Sequence, residues 1–262
     1  MTDAAHRTDR EIAELALACL DLTDLGESTT LEANLALAER AARHGTAAVC
    51  VWPRFVRPVA EVLAQLPVRV ATVVNFPSGD EPVGEVVAMT EQAIADGADE
   101  IDVVLPYRAF LAGDREAAAA VLDAVRDAAD DNDVKVIIES GELVDADVIR
   151  DAADLAVAHG AQFVKTSTGK TPVSATPEAA AAILGVLASL GDAVEPVGFK
   201  ASGGIRTVAD ARTYIELAED TMGEGWVSPT TFRFGASGLL DDILRVLEIE
   251  DTDESAPSTS AY

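Results

Sequence analysis

The chain alternates short runs of β-branched residues with longer stretches in which apolar residues recur at helical spacing. Eight such runs predict strands at 19–23, 47–52, 69–75, 100–106, 134–140, 162–168, 197–202 and 231–237. Between them lie Ala-, Leu- and Glu-rich segments such as 85–98, 115–130 and 145–161, each with the apolar stripe of an amphipathic helix. Several of these segments end at glycine, a common helix stop.

Eight strands alternating with helices over about 250 residues are typical of a closed parallel (β/α)₈ barrel, the TIM barrel. An open doubly wound sheet is the alternative. The barrel is favoured because no glycine-rich dinucleotide-binding turn follows the first strand, and because the count reaches eight without a second domain. We therefore predict one α/β domain over residues 1–248. The polar, aperiodic residues 249–262 predict a mobile tail that ends at Tyr262.

The charge balance narrows the possible partners. The 262 residues carry 19 Lys and Arg against 46 Asp and Glu, a formal net charge of −27 at pH 7. This charge repels nucleic-acid phosphates and anionic membranes, so we expect no nucleic-acid or membrane partner. A Lys-poor acidic surface also indicates adaptation to concentrated salt, in which surface repulsion is screened. An ordinary acidic protein is the alternative interpretation.

The cysteines and the first residues indicate the compartment. Cys19 and Cys50 form no disulfide framework and lack the spacing of metal ligands. The first residues contain no apolar core of signal-peptide length, and no later stretch reaches transmembrane length. We predict a cytoplasmic protein.

In a barrel of this kind the reacting groups lie at the C-terminal ends of the strands. The polar residues predicted there are Asp21, Asn75, Asp102, Glu139, Lys165, Lys200 and Ser237. Alternation in the seventh strand puts Lys200 on the face opposite Phe199, and therefore inside the barrel. The same rule leaves the direction of Lys165 open.

Two inward lysines on adjacent strands would lie several ångströms apart. At about 5 Å and an effective dielectric near 20, the repulsion between two ammonium groups is about 3 kcal/mol, or about two pKa units. A neighbouring cation and desolvation make a lysine nucleophilic towards a carbonyl carbon. Asp102 could pair with Lys200, hold it charged and pass protons. Alternatively, Asp102 and the lysines form only a structural ion pair.

Glycine-rich turns follow the last three strands, at 167–170, 202–211 and 235–244. Each places glycine and hydroxyl residues where a strand leads into a helix, so backbone N–H groups can converge on an anion. Barrels frequently bind phosphate after the last strands, and Lys170 and Arg206 lie beside these glycines. The turns predict a site for a phosphorylated small molecule, unless the glycines serve backbone geometry alone.

Motifs along nearly the whole chain resemble, in order, those of the deoxyribose-phosphate aldolases. They are LDLTDL (20–25), VCVWPRF (49–55), VNFPSGD (74–80), EIDVVLPYRAFLAGD (100–114), VIIESGEL (136–143), FVKTSTGK (163–170), GFKASGGIRT (198–207) and FRFGASGLL (232–240). The resemblance implies a class I aldolase barrel without metal or organic cofactor. Such an enzyme reversibly cleaves 2-deoxy-D-ribose 5-phosphate to D-glyceraldehyde 3-phosphate and acetaldehyde.

The resemblance also implies roles for individual residues. Lys165 matches the Schiff-base lysine, Lys200 the second lysine that lowers its pKa, and Asp102 the acid/base carboxylate. Tyr262 matches the terminal tyrosine that in some members enters the site and assists proton transfer. Cys50 matches a position that lines the site. The substrate-binding residues are then Asp21, Thr168, Gly169, Lys170, Gly203, Gly204, Arg206, Gly235 and Ser237.

Two segments depart from the family pattern. Ala201 and Ser202 stand where Pro-Ala is common, and Gly238 replaces a second serine, which removes a hydroxyl contact to the phosphate. The rival interpretations are another Schiff-base aldolase, a metal-dependent epimerase and a catalytically silent sugar-phosphate-binding protein. The epimerase is disfavoured because none of the three histidines lies on a predicted strand. We expect a phosphosugar as the small-molecule partner, and a homo-oligomer of two or more copies.

Overall fold

Eight parallel strands close into a barrel in chain order, with the last strand pairing back onto the first. The computed structural model describes residues 7–191 and 196–251. The strands are β1 (Leu20–Asp24), β2 (Ala48–Val51), β3 (Arg69–Val74), β4 (Glu100–Val104), β5 (Asp133–Ile137), β6 (Phe163–Lys165), β7 (Gly198–Ser202) and β8 (Phe232–Ala236). The predicted (β/α)₈ barrel is confirmed.

The helices surround this barrel. They are α1 (Asp9–Ala18), α2 (Leu31–His44), α3 (Val56–Leu63), α4 (Val83–Ala95), α5 (Tyr107–Leu111), α6 (Arg115–Ala129), α7 (Ser140–Leu143), α8 (Ala146–Ala158), α9 (Pro177–Ser189), α10 (Val208–Met222) and α11 (Leu239–Leu247). The segments predicted at 85–98, 115–130 and 145–161 correspond to α4, α6 and α8. Helix α1 precedes the first strand and packs against α10 and α11, while α5 and α7 are short helices inside the loops that follow β4 and β5.

Local sequence signals fix where the helices begin and end. The side chain of Thr30 accepts a hydrogen bond from the Ala33 N–H at the start of α2, an N-cap that typically contributes about 1 kcal/mol. Gly45 ends that helix at a φ of 70°, a left-handed conformation that glycine adopts without strain. Strand β6 is shorter than predicted, because the Thr168 N–H bonds to a side chain, that of Glu139, instead of a neighbouring strand.

Residues alternate between the two faces of each strand. The outward residues, such as Phe199 and Phe232 with ring centroids 5.6 Å apart, pack with the helices into the main core. The inward residues on β2 and β3 form a small apolar cluster at one side of the barrel interior, made of Ala48, Cys50, Ala71, Val73 and the adjacent Leu25. The opposite side of the interior is charged, which places the candidate chemistry on the strands from β4 to β8 and on the adjoining β1.

The predicted tail begins at Ile249, and the structure describes its first three residues. The Asp251 carboxylate pairs with Arg40 at 2.6 Å and with Arg43 at 3.0 Å, near the C-terminal end of α2. Tyr262 lies outside the described residues. Within 7–191 and 196–251, no helix combines the length and the apolar character that crossing a membrane requires.

Candidate active site

A cluster of charged side chains fills one side of the barrel interior. Each member is no more than 4% exposed: Asp21 on β1, Glu100 and Asp102 on β4, Lys135 on β5, Lys165 on β6, Lys200 on β7 and Arg233 on β8. Strand register brings them together, since Lys165 pairs directly with Lys200, and Asp102 with Lys135. Buried charges are tolerated only when they are paired, and this cluster pairs all of them.

Asp102 is the centre of this cluster. One of its oxygens, Oδ2, accepts hydrogen bonds from both Lys165 Nζ and Lys200 Nζ at 2.8 Å. The other oxygen, Oδ1, accepts one from Lys135 Nζ at 3.1 Å. The direction of Lys165, which alternation left open, is therefore inward. Two lysines on adjacent strands share a single carboxylate oxygen.

A second carboxylate, that of Asp21, also binds Lys200. Its Nζ donates to Asp21 Oδ2 at 2.5 Å, and the other Asp21 oxygen accepts from Arg233 at 2.6 Å. Arg233 also donates to Glu100 at 2.9 Å, and Glu100 is bonded in turn to Lys135. These contacts join the seven groups into one continuous network.

The network sets the charge of its members. Burial alone would favour the neutral acid at Asp102, but Lys135, Lys165 and Lys200 outweigh it and hold the pKa of that carboxyl well below its usual range. Burial would likewise favour a neutral Lys200, but Asp102 and Asp21 outweigh it and raise the pKa of Lys200. Lys200 is therefore an ammonium at neutral pH, as the predicted pairing with Asp102 requires.

A cavity of about 340 Å³ opens above this network at the C-terminal ends of the strands. Its wall includes Thr168, Gly169, Lys170, Gly203, Gly204, Arg206, Gly235 and Ser237, which are eight of the nine predicted substrate-binding residues. Lys165 is the one member of the charged network that reaches this wall. A single amine thus connects the buried charges with the cavity.

Two glycines of the wall are required by close approach. A Cβ on Gly203, which has a φ of 86°, would stand 2.6 Å from the Ser174 side chain. A Cβ on Gly235 would stand 2.4 Å from Ser202 Oγ. Glycine therefore keeps the turns close together and leaves their backbone open to the cavity.

Comparisons with known proteins assign the chain to a family. The profile of the DeoC/LacD family aldolases matches residues 15–241. A deoxyribose-phosphate aldolase from Agrobacterium fabrum is 51% identical over 257 residues, which is 97% of each chain. This chain belongs to the DeoC/LacD family of aldolases.

Solved structures support the assignment. A proposed deoxyribose-phosphate aldolase from Coccidioides immitis superposes with a TM-score of 0.81 at 30% identity, over 90% of this chain and 87% of that one. The apo form of a proposed deoxyribose-phosphate aldolase from Toxoplasma gondii gives a TM-score of 0.84 at 25% identity, over 92% and 98% of the two chains.

Of the seven polar residues predicted at strand ends, Lys165 and Ser237 line the cavity and the others do not, Asp21 and Asn75 among them. Asp21 is fully buried, and its two oxygens accept hydrogen bonds from Lys200 and Arg233; its predicted contact with substrate stays a prediction. Asn75 shapes the loop after β3, donating to the Val104 carbonyl at 2.8 Å and accepting from the Glu81 N–H at 2.9 Å.

Sequence reasoning missed three members of the network: Glu100, Lys135 and Arg233. Each is charged and lies within a strand that is covered on both sides, and this was the signal that could have revealed them. Glu100 is two residues from Asp102, on the same face of β4. Arg233 is two residues from Gly235, which lines the cavity.

Glu139 follows β5 with a φ of 53°, and its buried side chain turns towards the loop after β6. Its carboxylate accepts hydrogen bonds from the Thr168 N–H and hydroxyl, and the Thr171 hydroxyl lies 3.2 Å away. Burial raises the pKa of Glu139, although the bonds from Thr168 oppose this. The residue does not line the cavity.

The lysines of this aldolase are confined to its site. The whole sequence contains four: Lys135, Lys165, Lys170 and Lys200. Three belong to the buried network, and Lys170 lines the cavity, where its Nζ also donates to the Leu25 carbonyl at 2.8 Å. The two described histidines are elsewhere. His44 pairs with Asp251 and His159 with Asp123, and neither lines the cavity.

Proposed function

We propose that this aldolase cleaves 2-deoxy-D-ribose 5-phosphate to D-glyceraldehyde 3-phosphate and acetaldehyde through a Schiff base on Lys165, and catalyses the reverse condensation. The observation that carries this proposal is the position of Lys165, which touches both the charged network and the cavity. The family membership and the 51% identity to a deoxyribose-phosphate aldolase support the same substrate.

Lys165 begins the cleavage. Its neutral amine adds to the aldehyde carbon C1 of the open-chain sugar, and loss of water gives an iminium. A base removes the proton of the C3 hydroxyl, the C2–C3 bond breaks, and its electron pair flows into the iminium to form an enamine. C3 leaves as the aldehyde of glyceraldehyde 3-phosphate. Protonation of the enamine at C2 and addition of water then release acetaldehyde and restore the amine.

Asp102 and Lys200 serve the proton transfers in this proposal. Asp102 is ionised and bonded to both lysines, so it can orient the amine of Lys165 and accept a proton through water. Lys200 stays charged and can supply a proton.

The cavity wall provides the phosphate site. Gly203, Gly204 and Ser237 line the cavity together, and Ser237 directly precedes Gly238, the N-cap of α11. That helix N-terminus has no side-chain cap, so its N–H groups can bind an anion. Lys170 and Arg206 add positive charge at the same wall. The cavity can therefore capture one phosphate within a protein whose overall charge is −27.

Reductive trapping tests the function. Acetaldehyde with borohydride should leave an N-ethyl group on Lys165, located by peptide mass mapping. The Lys165→Arg variant should lose this adduct and the cleavage of deoxyribose 5-phosphate. Lys170→Arg, the control at the same cavity wall, should keep the adduct. Trapping without cleavage would indicate a different Schiff-base aldolase, and the absence of any adduct on Lys165 would rule out the mechanism.

Further properties belong to the same proposal. Tyr262 would assist proton exchange at the enamine carbon, which a variant ending at Ala261 tests by the exchange rate of the acetaldehyde methyl protons. We also place the enzyme in the cytoplasm. We propose that it forms a homo-oligomer, whose mass in solution light scattering would measure. The net charge of −27 and the absence of lysine from the described outer surface support adaptation to a salt-rich cytoplasm.

A further inference from the structure

We infer that Glu139 is a positioning residue for substrate phosphate, which acts by holding the loop of residues 167–171 in its binding shape. The inference rests on the proposed function, because the phosphate is that of the proposed sugar substrate. Glu139 itself stays outside the cavity and acts through Thr168 and Thr171.

The contacts of the carboxylate carry this inference. Glu139 Oε1 lies 3.2 Å from the Thr168 amide nitrogen and 3.2 Å from Thr171 Oγ1, and Oε2 accepts the Thr168 hydroxyl at 2.5 Å. One carboxylate thus binds a backbone N–H and two hydroxyl groups of a single loop. Bonds to an ionised acceptor are stronger than those between neutral groups.

The contacts of Glu139 with Thr168 also affect the next residues of the loop. Because the hydroxyl hydrogen of Thr168 points to Glu139, the lone pairs of that oxygen are available, and they accept the Lys170 N–H at 3.0 Å. Gly169 lies between these two residues with a φ of 75°, and a Cβ on it would stand 4.0 Å from Gly203 Cα. Glu139 therefore restrains the segment that holds Gly169 and Lys170, and this segment lines the cavity together with the turn of Gly203 and Gly204.

The negative charge of Glu139 allows a positioning role to be distinguished from a direct electrostatic effect on the bound phosphate. A carboxylate near a phosphate repels it, so removing the charge alone should strengthen phosphate binding. Removing the hydrogen bonds that order the loop should weaken it. These expectations are opposite, and a charge-neutral variant of the same shape distinguishes them.

The experiment compares Glu139→Gln with the wild type on two substrates. The Gln amide cannot accept hydrogen bonds at the position of the lost oxygen, so we expect KM for deoxyribose 5-phosphate to rise about tenfold and kcat to change less than about twofold. The kcat/KM for 2-deoxyribose, which lacks the phosphate, should stay unchanged. Glu142→Gln, an exposed residue of the same α7 helix, is the matched control and should behave as wild type.

A second measurement separates this inference from the proposed function. Calorimetric binding of inorganic phosphate should be about tenfold weaker in Glu139→Gln, whether or not the wild type cleaves the sugar. A wild type that binds phosphate but does not cleave deoxyribose 5-phosphate would contradict only the proposed function. Unchanged or tighter phosphate binding in the variant would overturn the positioning role, and so would equal losses on both substrates. If Glu139→Gln does not fold, Glu139→Asp, which keeps the charge but shortens the reach, should also weaken phosphate binding.

Discussion

The cations inside the barrel differ in kind and in surroundings from those on its outer surface. Inside, Lys135, Lys165 and Lys200 are at most 2% exposed and share three carboxylates with Arg233. Outside, the basic side chains of the described chain are arginines and histidines. Many of them pair with surface carboxylates, as Arg10 does with Glu14, while the exposed Arg69 reaches the buried Glu100 at 2.9 Å. Buried and exposed ion pairs follow different energetics, because desolvation makes a lost partner costly only inside.

The difference follows from what each side chain can do. A lysine can lose its proton and become a nucleophile, whereas an arginine keeps its charge at any pH that proteins meet. In the proposed mechanism, the two basic side chains that gain or lose a proton, Lys165 and Lys200, are accordingly lysines. Arg233 shows the complementary use inside the barrel, since it holds Asp21 and Glu100 with a permanent charge and does not reach the cavity.

Replacing a buried lysine should have the largest effect. Lys200→Met leaves Asp21 and Asp102 without an ammonium partner, so we expect the free energy of unfolding to fall by about 3–5 kcal/mol. The kcat for cleavage should fall about 10²–10⁴-fold, because a general acid is lost. Denaturant unfolding and steady-state assays on the folded variant measure the two effects.

Lys200→Arg is the matched variant for this prediction. It keeps a positive charge beside both carboxylates but cannot release its proton. We expect it to recover part of the stability and little of the activity. Cleavage at the wild-type rate by the Met variant would remove Lys200 from the mechanism.

The buried carboxyls should make stability depend on acid pH. Asp21, Glu100 and Asp102 are buried, which by itself opposes ionisation, but the surrounding cations lower all three pKa values below the ordinary 3.8 and 4.5. The unfolded chain then binds these protons more readily than the folded one. The stabilisation is present above about pH 4.5 and is lost as pH falls through the folded values.

A series of denaturant titrations between about pH 7 and pH 2 checks this. The free energy of unfolding should be flat down to about pH 5 and then fall, with a slope of up to about 1.4 kcal/mol per pH unit for each proton taken up. Glu100→Gln should make the decline shallower. Glu14→Gln, which removes an exposed carboxylate, is the control. Equal slopes in the wild type and Glu100→Gln would contradict the assignment.

The site shows how far sequence reasoning reaches. Alternation along β7 placed Lys200 inside the barrel correctly, because its neighbours Phe199 and Ala201 are apolar. It could not place Lys165, because the same face of the strand predicted at 162–168 also carries the apolar Phe163 and the polar Ser167. Glu100, Lys135 and Arg233 were missed because their partners are set by the register between strands, which the pattern within one strand does not contain.

The loop after β6 shows a second limit of prediction from the sequence. The glycine-rich turns and their basic residues indicated a phosphate site, and eight of the nine substrate-binding residues predicted from the sequence line one cavity. The hold of Glu139 on this loop depends on a left-handed conformation at a non-glycine residue. Local propensity does not predict that conformation.

The smallest effect is expected at an exposed pair. Arg10 and Glu14 pair at 3.0 Å on α1 with side chains 64% and 54% exposed. We expect Arg10→Gln to change the free energy of unfolding by less than about 0.5 kcal/mol in 0.1 M KCl. In about 1 M KCl, where the Debye length is only about 3 Å, the change should vanish. The wild type itself should gain stability and keep its activity as salt rises from 0.1 M to about 1 M, because screening relieves the surface repulsion of a protein whose net charge is −27. Thermal unfolding of both proteins across the salt series provides the measurement. A loss of wild-type stability and activity in molar salt would contradict the interpretation that the outer surface is adapted to salt, and would leave the buried network unaffected.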